Sequence, residues 1–270
     1  MSDGIRHHEG ADPRLPGLAI DGRVATITLR RAEVANRLNP EDLAEILRHI
    51  DAVNDSPVLV LRLRGEGRYF CSGFDIGRMA PGGARAQGEG STSRGPGFEE
   101  VVNALEDCRP VTIAALHGGV FGGGTDLALA CDFRIGTPRT EMFMPAARLG
   151  LHFYRRGMER YVSRLGLDAA KRLFLTAERI DAHEMARIGF LTELVDPDAL
   201  DARVEALTDV VSGLAPLAVF GMKKHLNRIG RGALDADELQ ADVRRAAASQ
   251  DIREGALAWK EKRKPRFEGR

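Results

Sequence analysis

Three consecutive glycines, Gly122–Gly124, stand between an apolar run, VTIAAL (Val111–Leu116), and the segment TDLALAC (Thr125–Cys131). Without Cβ atoms such a turn can bring its backbone unusually close to another chain segment or to a ligand. At the start of a helix its N–H groups have no intrahelical acceptors and carry the positive end of the helix dipole. Strand, glycine turn and helix in that order predict an α/β unit. A second apolar run, VLVLRL (Val58–Leu63), leads to another glycine-bearing bend, FCSGFDI (Phe70–Ile76). The GxGxxG spacing of a dinucleotide site fails, because Leu127 stands where the third glycine belongs, and no Walker lysine follows. Such a turn suits a carbonyl oxygen that becomes an oxyanion better than a phosphate, and on its own it is explained at least as well by tight packing.

Around these bends the chain alternates between element types. GRVATITLR places Ala25, Ile27 and Leu29 on one strand face and Val24, Thr26 and Thr28 on the other. NPEDLAEILRHIDAV reads as a helix: Asn39 at the cap, Pro40 in the first turn, Glu41 and Asp42 at the positive dipole end, and a stripe of Leu43, Ile46, Leu47, Ile50 and Val53. Residues 80–97, rich in Gly, Ser and Pro, read as a long loop. DAAKRLFLTAE and DAHEMARIG both start with an Asp at a plausible cap, and beyond Asp198 the pattern is amphipathic helix to about Lys262. The expected organisation is a flexible N-terminal arm over 1–16, an α/β core over 17–200 and a helical domain over 201–270.

Composition narrows the function classes. The 270 residues carry 39 Lys plus Arg against 39 Asp plus Glu, so no broad basic footprint points to nucleic acid. No apolar run approaches the roughly 18 residues of a membrane span, and the N-terminus lacks the apolar core of a secretory signal, so a cytoplasmic protein is expected. Cys71, Cys108 and Cys131 are odd in number and widely spaced, and no CxxC or HExxH occurs, so neither disulfides nor a bound metal are expected.

The segments NRLNPEDLAEIL, FCSGFDI, PVTIAALHGGVFGGGTDLALACDFRIGT and the ending EGALAWKEKRKPRFEGR resemble, in that order, the crotonase superfamily, the enoyl-CoA hydratase/isomerase family. The match runs over roughly residues 20–268. The resemblance implies a core of repeated ββα units with a C-terminal helical domain that forms trimers, often as a dimer of trimers. It implies a coenzyme A thioester as substrate, no separate cofactor, and an oxyanion hole made by one backbone N–H from each bend, here those of Phe74 and Gly123. The flanking Ser72, Gly73 and Gly122, together with Arg37, Ala146 and Lys260, become substrate-binding candidates. Lys260, Lys262 and Lys264 would reach CoA phosphates from a neighbouring subunit or form a basic solvated tail.

The departures from the family pattern concern its proton chemistry. Hydratases of the family pair two glutamates. Asp126 holds the first position, shorter by one methylene, and Ala146, in MPAARLG, holds the second and cannot transfer a proton. Asp126 is then either the general acid/base or a residue that merely caps or solvates its helix. HFYRRGM (His152–Met158) replaces the usual glycine-rich stretch, so His152 and Tyr154 become candidates for the missing acid, or an apolar plug. Glu159 reads as a solvated helix residue paired with nearby arginines; Arg155 and Arg156 are also candidates to meet an acidic acyl group. His117 and Asp75 read as structural, and Trp259 as an interface or core anchor. The expected function is an enoyl-CoA hydratase or isomerase reaction through a thioester enolate. Decarboxylation, thioester hydrolysis, or CoA binding without turnover remain the alternatives.

Overall fold

The computed structural model describes residues 6–8, 12–74 and 95–270. The reading of Asp75 as a cap and most of the 80–97 loop lie outside them.

Among the described residues a seven-stranded sheet runs in the order β1-β2-β3-β4-β5-β7-β10: β1 Arg6–His8, β2 Gly17–Asp21, β3 Val24–Leu29, β4 Val60–Gly65, β5 Val111–Leu116, β7 Phe133–Gly136 and β10 Glu193–Leu194. The first three strands are antiparallel, and from β3 onward every neighbour is parallel. A smaller sheet joins β6 (Val120–Phe121), β8 (Glu141–Phe143) and β9 (Ile180–Asp181).

Parallel strands buried on both faces read as continuous apolar runs, and all six residues of β5 are buried. One face, through Ile27, Leu61, Leu63, Ala114 and Leu116, packs into the main core with α1 (Pro40–Asn54), α2 (Phe98–Asp107) and α3 (Gly123–Ala130). The other face, through Val60, Ile113, Ala115 and Ile135, packs on Leu200, Val204 and Val211 of α7 (Leu200–Ser212).

Helix α1 starts as the sequence predicts, with its Asp42 carboxylate accepting the Asn39 amide at 2.8 Å. Asp181 caps α6 (Ala182–Arg187), accepting the Glu184 amide at 2.9 Å. The cap expected at Asp168 is different: α5 (Leu167–Thr176) begins after Gly166, whose φ of +83° supplies the bend, and Asp168 lies inside the first turn.

Two observations bear on the expected organisation. Residues 6–8 of the presumed arm form an edge strand, with Arg6 opposite Ile20. Edge pairing uses backbone groups alone, so no side-chain periodicity announces it. At the boundary placed near 200, α7 closes the second face of the core sheet. α8 (Pro216–Gly230) also packs against β5, α2 and α4 (Arg155–Leu165). α9 (Ala236–Ala248) and α10 (Gln250–Glu261) complete the chain.

Candidate active site

The two glycine bends meet. Cys71 bridges Val120, and the Phe121 amide donates to the Cys71 carbonyl at 2.9 Å, so the first bend lies along β6. Gly73 has φ of +90°, and a Cβ on it would stand 2.6 Å from the Gly123 nitrogen. A Cβ on Gly123 would lie 3.4 Å from the Phe74 nitrogen, and one on Gly124 would strike the Cys71 carbonyl at 2.5 Å. These glycines are required because two backbones touch there. Gly122, at φ +51°, turns the chain from β6 into α3 while its own amide donates to Phe143 at 3.0 Å. Among the described residues, no acceptor is bonded to the amides of Phe74 or Gly123.

Supports for the first bend come from residues 34–38. Ala35 and Asn36 both take left-handed backbone conformations. The buried Asn36 amide donates to the carbonyls of Glu66 and Tyr69 at 2.8 and 2.9 Å. Ser72 donates its N–H to Ala35 at 2.9 Å, and Leu38 donates to Gly73 at 2.8 Å. Arg37 stands half-buried in this segment, beside the bend. Burial pushes the Cys71 thiol up to about 12, so it is no nucleophile.

Asp126 lies one turn along α3 from Gly123 and is fully buried. Its Oδ1 accepts Arg160 Nη1 at 2.6 Å, and its Oδ2 accepts the Tyr154 hydroxyl. Tyr154 is the residue immediately before α4, and Arg160 faces inward from the same helix. The Phe98 ring packs 6.5 Å from Phe74 and 6.4 Å from Tyr154, centre to centre, and also lies against Gly123. Phe98 thus contacts both the Tyr154 ring and the paired bends. Burial and the Asp126 carboxylate raise the Tyr154 phenol far above its ordinary value, against the opposing pull of Arg160, so it stays protonated.

Arg160 is fully buried, yet burial is outweighed by Asp126 and Glu106, whose carboxylates raise its proton affinity. It donates Nε to Glu106 at 3.0 Å and Nη2 to Asn103 at 3.0 Å. Burial alone would raise the Glu106 carboxyl, but Arg160, Arg164 and Arg156 hold it at about 2. The sequence gives no signal for Glu106, and α2 is passed over; Arg160, expected among the surface partners of Glu159, faces inward to Glu106 and Asp126. The helix signal was present: Phe98, Val101, Val102 and Leu105 fall at helical spacing after the long glycine-rich segment.

The remaining candidates scatter. Ala146 is buried at the start of a 3-10 turn, Ala146–Leu149, directly after Pro145, which packs against Gly122. It lines an apolar groove of about 320 Å3 together with Leu151, His152, Phe153 and Phe174. His152 is exposed, its Nδ1 2.8 Å from the Phe153 carbonyl, and does not join Asp126. Phe153 stacks on Tyr154 at 4.7 Å, so the HFY segment fills volume and also carries the phenol.

Glu159 pairs with Arg155 at 2.7 Å on the surface, and Arg156 bonds Glu106 at 2.9 Å. His117 bonds the Gly67 carbonyl at 2.9 Å, and burial lowers its proton affinity. Trp259 is 88% exposed, so it anchors no core within this chain, and Lys260 is exposed beside it. Among the described residues no group of three His, Cys, Asp or Glu side chains is gathered as a metal would need, and no single helix is long and apolar enough to cross a membrane.

The family model for enoyl-CoA hydratase/isomerase matches residues 19–270. A crotonyl-CoA hydratase from Syntrophomonas wolfei is 33% identical, over 91% of this chain and 94% of that protein. A short-chain-enoyl-CoA hydratase from Clostridium acetobutylicum is 32% identical, over 90% and 94%. A solved enoyl-CoA hydratase/carnithine racemase from Magnetospirillum magneticum superposes with a TM-score of 0.87 at 26% identity, covering 95% of this chain and 96% of that one. Together with the mixed α/β architecture and its C-terminal helices, these matches establish that the chain belongs to the enoyl-CoA hydratase/isomerase family, the crotonase superfamily, whose substrates are acyl-CoA thioesters.

Proposed function

We propose that the protein shifts double bonds in acyl-CoA thioesters through an enolate held by the Phe74 and Gly123 amides, with Tyr154 and Asp126 as its acid/base assembly. One observation carries this reading: Ala146 stands at the second position, while the carboxylate at the first is bonded to a phenol. Hydration asks for one group to take a proton from water and another to protonate Cα. Moving a double bond asks for one assembly that removes a proton and returns it two carbons away.

In the proposed step the Cα–H bond of a 3-enoyl thioester breaks toward the Tyr154 oxygen as the phenolic proton passes to Asp126. The electron pair delocalises onto the thioester oxygen, where a preorganised N–H donor contributes about 3–4 kcal/mol. Reversal of the relay at Cγ gives the 2-enoyl thioester and restores both groups.

Decarboxylation is a second reading, favoured by the engagement of both Asp126 oxygens. Loss of CO2 from a carboxylated thioester leaves the same enolate without a base, and the protonated Tyr154 can quench it. Assays with 3-enoyl-CoA, crotonyl-CoA and a malonyl-type thioester separate these readings. We expect isomerisation, with hydration at least about 100-fold slower than an ordinary family hydratase run alongside. Hydration within about tenfold of that enzyme overturns the proposal, and CO2 release without isomerisation selects the second reading.

We further propose that the chain self-associates, as its family resemblance implies. Met222, Leu226, Ile229, Val243, Ile252 and Trp259 on α8–α10 are exposed in the single chain, and a second copy would bury them. Sedimentation as a monomer at micromolar concentration would remove this part of the reading.

A further inference from the structure

We propose that Glu106 and Arg160 are positioning residues for this site, forming with Asp126 and Tyr154 a single relay from the back of the core to the acyl pocket. The inference rests on the acyl-CoA reading above and adds two residues to it. Glu106 comes from α2, Asp126 from α3, and Arg160 with Tyr154 from α4. Arg160 is the link: one edge of its guanidinium bonds Glu106, Nη1 bonds Asp126, and Nη2 also reaches Asn103.

A buried ion pair is weak evidence for stability alone, because desolvating the charges costs about as much as pairing them returns. This one ends on the hydroxyl of Tyr154, whose ring packs on Phe98, the ring that lies against Gly123. A relay that delivers a proton to Asp126 would strand the Arg160 charge if Asp126 were its sole partner. Glu106 removes that obstacle. It keeps Arg160 balanced whether Asp126 is charged or neutral, so Asp126 shares its cation with a second carboxylate.

Among the described residues, the charged and titratable groups facing Asp126 are Tyr154, Arg160 and Tyr161 from α4 and, through Arg160, Glu106 from α2. Arg156, Arg164 and Arg231 stand one step out, around Glu106. The short β6 that also packs on α3 contributes none. Removing Glu106 therefore exposes Asp126 to more positive charge, and removing Arg160 exposes it to less. A scaffold with no part in proton transfer has no reason to answer these two changes with opposite signs.

The test compares Glu106→Gln and Arg160→Gln, alone and with Asp126→Asn, in the full-length protein on whichever thioester the wild type turns over. Each single variant should lower kcat by about 10- to 100-fold, with KM changed less than about threefold. The acid limb of the kcat profile should move to lower pH in Glu106→Gln and to higher pH in Arg160→Gln. With Asp126→Asn present, both shifts should vanish and the further loss in kcat should be less than about threefold. Arg160→Lys, which keeps the charge and loses the fork, covers the case in which Arg160→Gln does not fold. It should lower kcat without raising the limb. Limbs that move together, or losses that multiply through the Asp126→Asn background, overturn the relay and leave the acyl-CoA reading standing. A wild type inert on 3-enoyl-CoA and on malonyl-type thioester overturns both.

Discussion

On the proposed reading, the lack of a carboxylate at Ala146 decides which reactions the site can run. The residue is buried against Pro145 and the HFY segment, at the mouth of an apolar groove. A glutamate placed there would enter a groove walled by Leu151 and Phe153, whose lysine, Lys171, is exposed to solvent, and the positive charge around Glu106 is already committed to carboxylates. Burying an unmatched carboxylate disfavours its charged form, which is the form a base needs. Ala146→Glu should therefore raise crotonyl-CoA hydration by less than about tenfold, although it restores the residue type that family hydratases carry. Steady-state hydration assays check this. A gain of about a hundredfold or more would show that the segment after β8 still keeps hydratase geometry, and that the loss of this carboxylate alone sets the reaction.

At the scale of elements, the sequence foretold what periodicity and turn chemistry encode. The face assignment in β3 is correct, with Ala25, Ile27 and Leu29 buried and their neighbours half-buried. The two glycine bends were also visible, because close backbone contact leaves glycine as the residue that fits. Their meeting in space was carried by family resemblance, since no local pattern states that Gly73 and Gly123 abut. The edge strand at Arg6–His8 escaped notice because its pairing is made by main chain. Helix α2 escaped because a loop signal ended at Gly97 and the next landmark taken was the strand beginning near Arg109. With α2 went Glu106. A glutamate in a helix reads as solvated by default, and only the tertiary structure, by placing four arginines within reach, makes it the most enclosed carboxylate of its helix. Asp126 was legible as a candidate, but its partner Arg160 lies 34 positions away, and a long-range ion pair has no sequence spacing to betray it.

Glu106 also ties the molecule together. Its carboxylate gathers Arg156 and Arg160 from α4 and Arg231 just past α8, while its carbonyl accepts the Asn227 side chain at 3.0 Å. Beside it Lys223 of α8 pairs with Asp132 at 2.9 Å and donates to the Pro110 carbonyl at 2.6 Å. The helices after residue 200 are thus bonded to the rest of the chain through polar groups as well as through α7. This arrangement has a consequence for acid stability. The Glu106 carboxyl is depressed from 4.5 to about 2 in the folded protein. A depressed carboxyl contributes stability that is present above its unfolded pKa and is lost as pH falls through the folded one. For this group the window runs from about pH 5 to about pH 2, and the amount is roughly 3 kcal/mol by linkage. Glu184 and Glu254 are depressed as well, but both are unchanged in a Glu106 variant. Urea unfolding from pH 7 to pH 3 should therefore show a steeper loss of stability in the wild type than in Glu106→Gln. The variant should start lower at pH 7, because its arginines are left short of a counter-charge. Parallel pH dependences in the two proteins would mean that Glu106 is as readily protonated folded as unfolded, and that the guanidinium cluster around it does not hold its charge.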